Sequence, residues 1–211
     1  MNKTLIAIPS HDYVHADFTR CLMQLDRPED AGFTMITNTL IYTARNMIAQ
    51  KAIQLGFDRV MWFDADMTFE HDTLTRLSAD MDQGLELVTG LYFTRKEPIV
   101  PTLHKEIRWR IKEDGWVDGG ATLYKNYPKD QVFEIAGCGF GCVMTSVSLL
   151  KRMVEKYGSP FYPLMGMGED STFCFRATQD GHKLYCDSRV KCGHIGQKEY
   201  NEDFYIEQED W

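Results

Sequence analysis

Apolar residues fall in short continuous runs, and segments of helical spacing separate them over the first 95 residues. Leu5-Ile6-Ala7-Ile8 is one such run, closed by Pro9-Ser10-His11-Asp12. A continuous run of that length predicts a buried parallel strand opening into a loop. Residues 15–25 predict a helix, and 32–38 a second short strand. Residues 43–55 predict a longer helix, with Ala44, Met47, Ile48 and Ala52 on one face and Gly56 at its end. Arg59-Val60-Met61-Trp62-Phe63 reads as the next strand, 72–81 as a helix and 87–93 as another strand. This alternation predicts an open α/β sheet, in which ligands bind beyond the carboxyl ends of the strands.

The pattern changes after residue 95. Between 96 and 134, Trp109, Trp116, Tyr124 and Tyr127 are interleaved with Gly, Lys and Asp, which predicts a hairpin excursion or loop whose aromatics pack on the core. Gly137, Gly139 and Gly141 then alternate along an extended segment and leave one face open to close approach by backbone or ligand. The Lys-Ser/Thr ending of a P-loop is absent there. A helix is expected over 146–156. Glu169-Asp170 opens another that runs to about residue 179, and a late strand lies at 184–186.

Candidate chemistry centres on Asp64-Ala65-Asp66 at the end of its strand. Side chains alternate along a strand, but the chain turns where the strand ends, so both acids can converge on one ion or ligand. Adjacent carboxylates repel, and a divalent cation compensates them. A second Asp-x-Asp triplet, Asp80-Met81-Asp82, serves as an internal comparison. It sits on a helix, where residues two apart diverge, and is expected to be solvated surface.

Composition narrows the field. The chain of 211 residues is 44% hydrophobic and 26% charged, which predicts one domain with a sizeable core. No apolar run is long enough to span a membrane. The amino-terminal run is too short for a signal peptide, so a cytoplasmic protein is expected. A net charge of −8 disfavours a broad grip on nucleic acid. The six cysteines show no paired C-x-x-C spacing, which argues against a zinc site and for buried, reduced thiols.

Taken in order, these features resemble the GT-A fold nucleotide-sugar glycosyltransferases, most like family 2 and its small bacterial and phage relatives. The resemblance runs from Leu5 to about Gly196. It rests on Pro9-Ser10, Thr43-Ala44-Arg45-Asn46, Asp64-Ala65-Asp66, the segment Gly137 to Cys142, Glu169-Asp170 and His194. It implies a nucleotide-binding half to about residue 95, an acceptor and catalytic half to about 196, and an acidic tail over 197–211. It also implies that Pro9, Ser10, Asp12, Arg45, Asp64, Ala65, Asp66 and Gly139 surround a nucleotide sugar, with UDP the expected nucleotide. Asp64, Asp66 and His194 would hold Mn²⁺, which carboxylate plus imidazole suits, with Mg²⁺ as the alternative. Asp170 would be the base of an inverting transfer, supported by Glu169.

The chain departs from that pattern in places. The acidic residue expected after the second strand is replaced by Thr37-Asn38-Thr39, and the Q-x-x-R-W signature of processive synthases is absent. A single transfer to a hydroxyl acceptor is expected: a glycan, a lipid-linked sugar, a protein, or a modified DNA base gripped by Lys105, Arg108, Arg110 and Lys112. Two alternatives keep the fold. One is a nucleotidyltransferase, against which the first loop lacks a basic, glycine-rich sequence. The other is a non-catalytic sugar- or nucleotide-binding module.

Overall fold

The computed structural model describes residues 2–196, 199–202 and 205–206. Its main sheet begins with β1 (Thr4–Pro9), buried along its whole length as its unbroken apolar run requires. α1 (Ala16–Gln24) follows, its first turn capped by the His15 ring accepting from the Asp17 amide. Next come β2 (Gly32–Ile36), α2 (Ile41–Gln54) and β3 (Arg59–Phe63). A tight turn at Asp64–Asp66 leads into the short β4 (Met67–Phe69), then α3 (Thr73–Met81) and β5 (Leu87–Leu91). The second half adds β6 (Leu103–Ile111), β7 (Val117–Leu123), β8 (Val132–Ile135), β9 (Gly137–Cys138) and β10 (Cys142–Ser146). It closes with α4 (Val147–Tyr157), α5 (Glu169–Gln179), β11 (Leu184–Ile195) and β12 (Glu199–Tyr200).

The sheet order is β12-β11-β5-β10-β3-β1-β2. β2, β1, β3, β5 and β11 all run one way, while β10 is inserted antiparallel between β3 and β5. The expected mixed, mostly parallel α/β sheet flanked by helices is therefore present. β6 and β7 form the hairpin, tied back to β9 through Leu103 and His104.

Two features differ from the sequence expectation. The late strand expected at 184–186 is longer: β11 continues to Ile195, with a bulge between Asp187 and Lys191. Asp80 is buried, not solvated: α3 turns it toward that bulge, where Arg189 meets it at 3.3 Å. Helical spacing fixes which residues share a face, but the partner that covers Asp80 comes from a distant strand. In the 197–211 segment Glu202 and Tyr205 are buried, with Glu202 accepting from Tyr127 at 3.0 Å.

The core is apolar on both sides of the sheet. On one side an aromatic cluster joins β3 to the glycine segment and α5. Phe140 lies edge-on to Trp62 and Phe161, and Phe161 stacks on Phe173 with centroids 4.5 Å apart. Such contacts are worth about 0.5–1.5 kcal/mol each beyond burial. They fix the start of α5 relative to the carboxyl end of β3, which is where the candidate chemistry gathers.

Candidate functional site

The turn after β3 is held by backbone. The Asp64 amide donates to the Gly141 carbonyl at 3.0 Å, and the Ala65 and Asp66 carbonyls accept from His15 and Ile195 at 3.0 and 2.8 Å. The two carboxylates consequently turn to different partners. Asp64 accepts from Arg45 Nη2 at 2.9 Å. Asp66 faces His194, with Nε2 at 3.6 Å, and pairs with Arg95.

Arg45 is the cation at the centre of the acids. It rises from α2, is 2% exposed, and lies over the Phe140 ring with its Nε 3.6 Å from Glu169. Its Nε and Nη1 are buried with no hydrogen-bond partner. Burial works to lower its pKa, but Asp64, Glu169 and Asp170 outweigh that and raise it. Burial pushes the Asp64 carboxyl up against the pull of Arg45, and Asp66 adds to the rise. At Asp66 burial is outweighed by the His194 ring and by Arg95, so that carboxyl is held below its ordinary range. The neighbouring Asn46 accepts from the Phe161 amide at 3.1 Å and so anchors the loop that leads into α5.

Asp170 lies in the first turn of α5, where its Oδ1 accepts from the Ser171 amide at 2.6 Å. Burial raises its pKa, with the Ser171 amide and Arg45 opposing. Asp64, Glu169, Asp170, Arg45, Gly139 and His194 line one cavity of about 300 Å³. Tyr92, Thr102 and His104 line it too, and no sequence pattern pointed to them. The Tyr92 hydroxyl accepts from the Gly141 amide at 2.8 Å. A Cβ on Gly139 would fall 2.3 Å from that hydroxyl, so the glycine admits Tyr92 into the wall. Burial first, and then Asp64, raise the Tyr92 pKa well above its usual value.

Asp66 does not line this cavity and borders it only through His194, and the remaining expected residues lie outside it as well. Pro9 ends β1, next to β3; Ser10 is buried and its hydroxyl donates to the Tyr13 carbonyl. Asp12 is exposed beside His11. Ala65 is half-buried against the core on the α1 side of the sheet. Asn38, where an acid was expected, has a positive φ of 58° and its amide donates to the His11 carbonyl, fastening one loop to the other. A larger open cleft of about 820 Å³ lies beside β4, lined by Arg20, Thr68, His71 and Lys191, and contains none of the expected residues.

The donor set at Asp66 and His194 fits a divalent cation. His194 Nδ1 lies 2.9 Å from the Phe93 carbonyl, which can only accept, so Nδ1 carries the proton. When the ring is neutral its Nε2 lone pair faces the Asp66 carboxylate, and when protonated Nε2 donates to the same oxygen that Arg95 meets. A divalent cation could take the place of that proton and of Arg95, and a backbone carbonyl behind the imidazole is the usual orienting contact. Among the described residues, no group of three or more acids, histidines or cysteines converges on one point. Asp64 is engaged by Arg45 instead.

In the excursion, Trp109 packs edge-on to Phe175, and Tyr124 and Tyr127 pack against Phe133, as expected. Trp116 is 74% exposed. Arg108 and Arg110, two of the four cations expected to grip a DNA acceptor, pair with Glu106 and Asp118.

No family model matches the chain, and no curated protein matches it significantly. Solved structures do. The crystal structure of A197 from STIV superposes with a TM-score of 0.66 at 18% identity, over 92% of this chain and 86% of that one. GalNAc-T7, solved with UDP, GalNAc and Mn²⁺, superposes with a TM-score of 0.60 at 13% identity, over 92% of this chain and 44% of that one. The strand order and these superpositions agree: the chain has the GT-A fold.

Proposed function

We propose that the chain transfers a sugar from a nucleotide sugar, of the UDP class, to a hydroxyl acceptor with inversion. The observation that carries this is the placement of Asp170 in the same cavity as Asp64 and His194, at the carboxyl end of β3. Asp66 and His194, with Asp64 in support, would hold Mn²⁺ or Mg²⁺. A cation there supplies charge neutralisation for the departing diphosphate.

The protein's own groups do the rest. Arg45 opposes the burial that raises the Asp64 and Asp170 carboxyls, and its Nη1 has no hydrogen-bond partner and could serve an anionic donor. Pro9, Ser10 and Asp12 border the nucleotide on the adjacent strand end. Asp170 accepts the proton of the attacking hydroxyl, and its raised pKa makes it a stronger base than an exposed aspartate. Glu169 holds Arg45 in register. Six unpaired, buried cysteines fit a reducing, cytoplasmic setting. No helix among the described residues is long and apolar enough to cross a membrane.

Asp170→Asn tests the assignment. It keeps the side chain's size and should bind nucleotide sugar with near-normal affinity, yet lose transfer by about 10²–10⁴-fold. NMR of the product should show the anomeric configuration opposite to the donor's. Retention of configuration, or full transfer by the variant, refutes it.

A further inference from the structure

The β6–β7 hairpin turns one face toward α5. His104, Ile107, Trp109 and Ile111 stand opposite Leu123, Ala121, Gly119 and Val117, with a bulge between His104 and Glu106 setting the phase. The inner end of this face, His104 and Leu123, lines the cavity that holds Asp170. The outer end, Trp109 and Gly119, lines a second groove of about 450 Å³, walled on the other side by Phe175 and Gln179 of α5. Asp170 opens the same helix, so Phe175 and Gln179 lie roughly 8 and 14 Å farther along it.

Two groups on this face are arranged for a ligand. His104 Nδ1 is buried with no partner, and burial lowers the ring's pKa with no acid opposing it. A neutral imidazole offers one donor and one acceptor, which suits a hydroxyl. Trp109 is fixed by its indole N–H, which donates to the Met165 carbonyl at 3.0 Å, and by its edge contact with Phe175. A Cβ on Gly119 would fall 3.2 Å from the indole Cδ1. Glycine leaves room beside the ring.

We propose that this hairpin face and α5 form the acceptor site, and that the acceptor is a glycan longer than a single sugar ring. The ring at the reacting end meets Asp170 and His104, and a later ring lies on Trp109. This rests on the transferase reading above. Charge favours a neutral glycan over a nucleic acid. The chain carries −8 overall, Asp118 lines the groove, and Arg108 and Arg110 are already paired with Glu106 and Asp118. Sugar hydroxyls can hydrogen-bond such pairs, whereas phosphates would face a carboxylate.

The test is retention of labelled protein on an array of neutral oligosaccharides graded from single rings to hexasaccharides, with single-stranded DNA as a further probe. Wild-type retention should rise with glycan length. Gly119→Val, whose side chain would crowd the indole and displace it, should lower retention by up to about tenfold, the upper end for one aromatic contact. Its UDP affinity should be unchanged, and the fold should be retained by circular dichroism. Gln179→Ala, at an exposed helix position, gives an independent reduction should the valine variant fold poorly. Retention indifferent to both variants, retention of DNA in place of glycans, or no retention of any probe overturns the proposal. Failure of the wild type to bind UDP, with Gly119-dependent glycan retention intact, would instead sink the transferase reading and leave the groove standing.

Discussion

Replacing Arg45 with leucine removes the cation buried among Asp64, Glu169 and Asp170. The side chain is 2% exposed, with Nη2 2.9 Å from Asp64 and Nε 3.6 Å from Glu169. Breaking a buried pair from one side costs about 3–5 kcal/mol, because the remaining charge is left uncompensated. For a domain of this size each kcal/mol moves the melting temperature by about 2–4 °C, so a fall on the order of 10 °C is expected. The loss should grow with pH. Without Arg45 the Asp64 carboxyl, already raised by burial, rises further. The native state then binds more protons than the unfolded chain, and stability drops as pH climbs through the raised value. Adding Asp64→Asn should recover at least half of the loss, since the orphaned charge goes. Thermal and urea unfolding of both single variants and the double variant, on the acid and alkaline sides of neutrality, gives the full cycle. A single-variant loss under about 1 kcal/mol, or no relief from Asp64→Asn, would show that Arg45 does not compensate these acids.

Other expectations follow from the same geometry. Burial first, and then Asp187, raise the Asp80 pKa to about 6, so ionising it costs native stability as pH rises from the ordinary carboxylate range through that value. Asp80→Asn should therefore stabilise the protein by about 1–2 kcal/mol at alkaline pH, after discounting for screening, and have no effect at acid pH; equal shifts at both would contradict this. Asp187 works in the opposite sense: its lowered pKa gives stability that is present above the usual carboxylate range and lost below it. His194→Ala should weaken metal-supported UDP binding, measured by calorimetry with Mn²⁺ and with chelator, and leave any metal-independent binding unchanged. Transfer should fall on acidification with a midpoint above that of an ordinary aspartate, since Asp170 must be ionised to accept a proton; in Asp170→Asn that limb of the pH profile should vanish with the rate.

Much of the frame was legible because continuous apolar runs have few other uses. β1 and β3 are buried over their whole lengths, and α2 lies within two residues of its expected start. Asp64 was nameable because it ends an apolar strand, and Glu169, Asp170 and His194 through the family resemblance; one cavity gathers all four. Tyr92 and His104 were not, because a lone tyrosine or histidine near a strand carries no spacing signal. They enter the cavity through the passage beside Gly139 and through the pairing of β6 with β9. The separate partners of Asp64 and Asp66 were hidden too. Arg45 lies nineteen residues before Asp64 on a helix, and its aim depends on the Phe140 ring. Asp80 was misjudged for a similar reason, since its cover arrives from Arg189, 109 residues away.

The central claim, a metal-assisted nucleotide-sugar site built on Asp66 and served by Asp170, is tested most directly by nucleotide release. The wild-type protein is incubated with a panel of UDP- and GDP-sugars and Mn²⁺, and free nucleotide is measured against time, with chelator and with Asp66→Ala as the two controls. The account predicts release from at least one UDP-sugar that stops in chelator and in Asp66→Ala, while the variant keeps its melting temperature. Release that persists undiminished in chelator, or no release from any donor by wild-type protein that also fails to bind UDP, would contradict it.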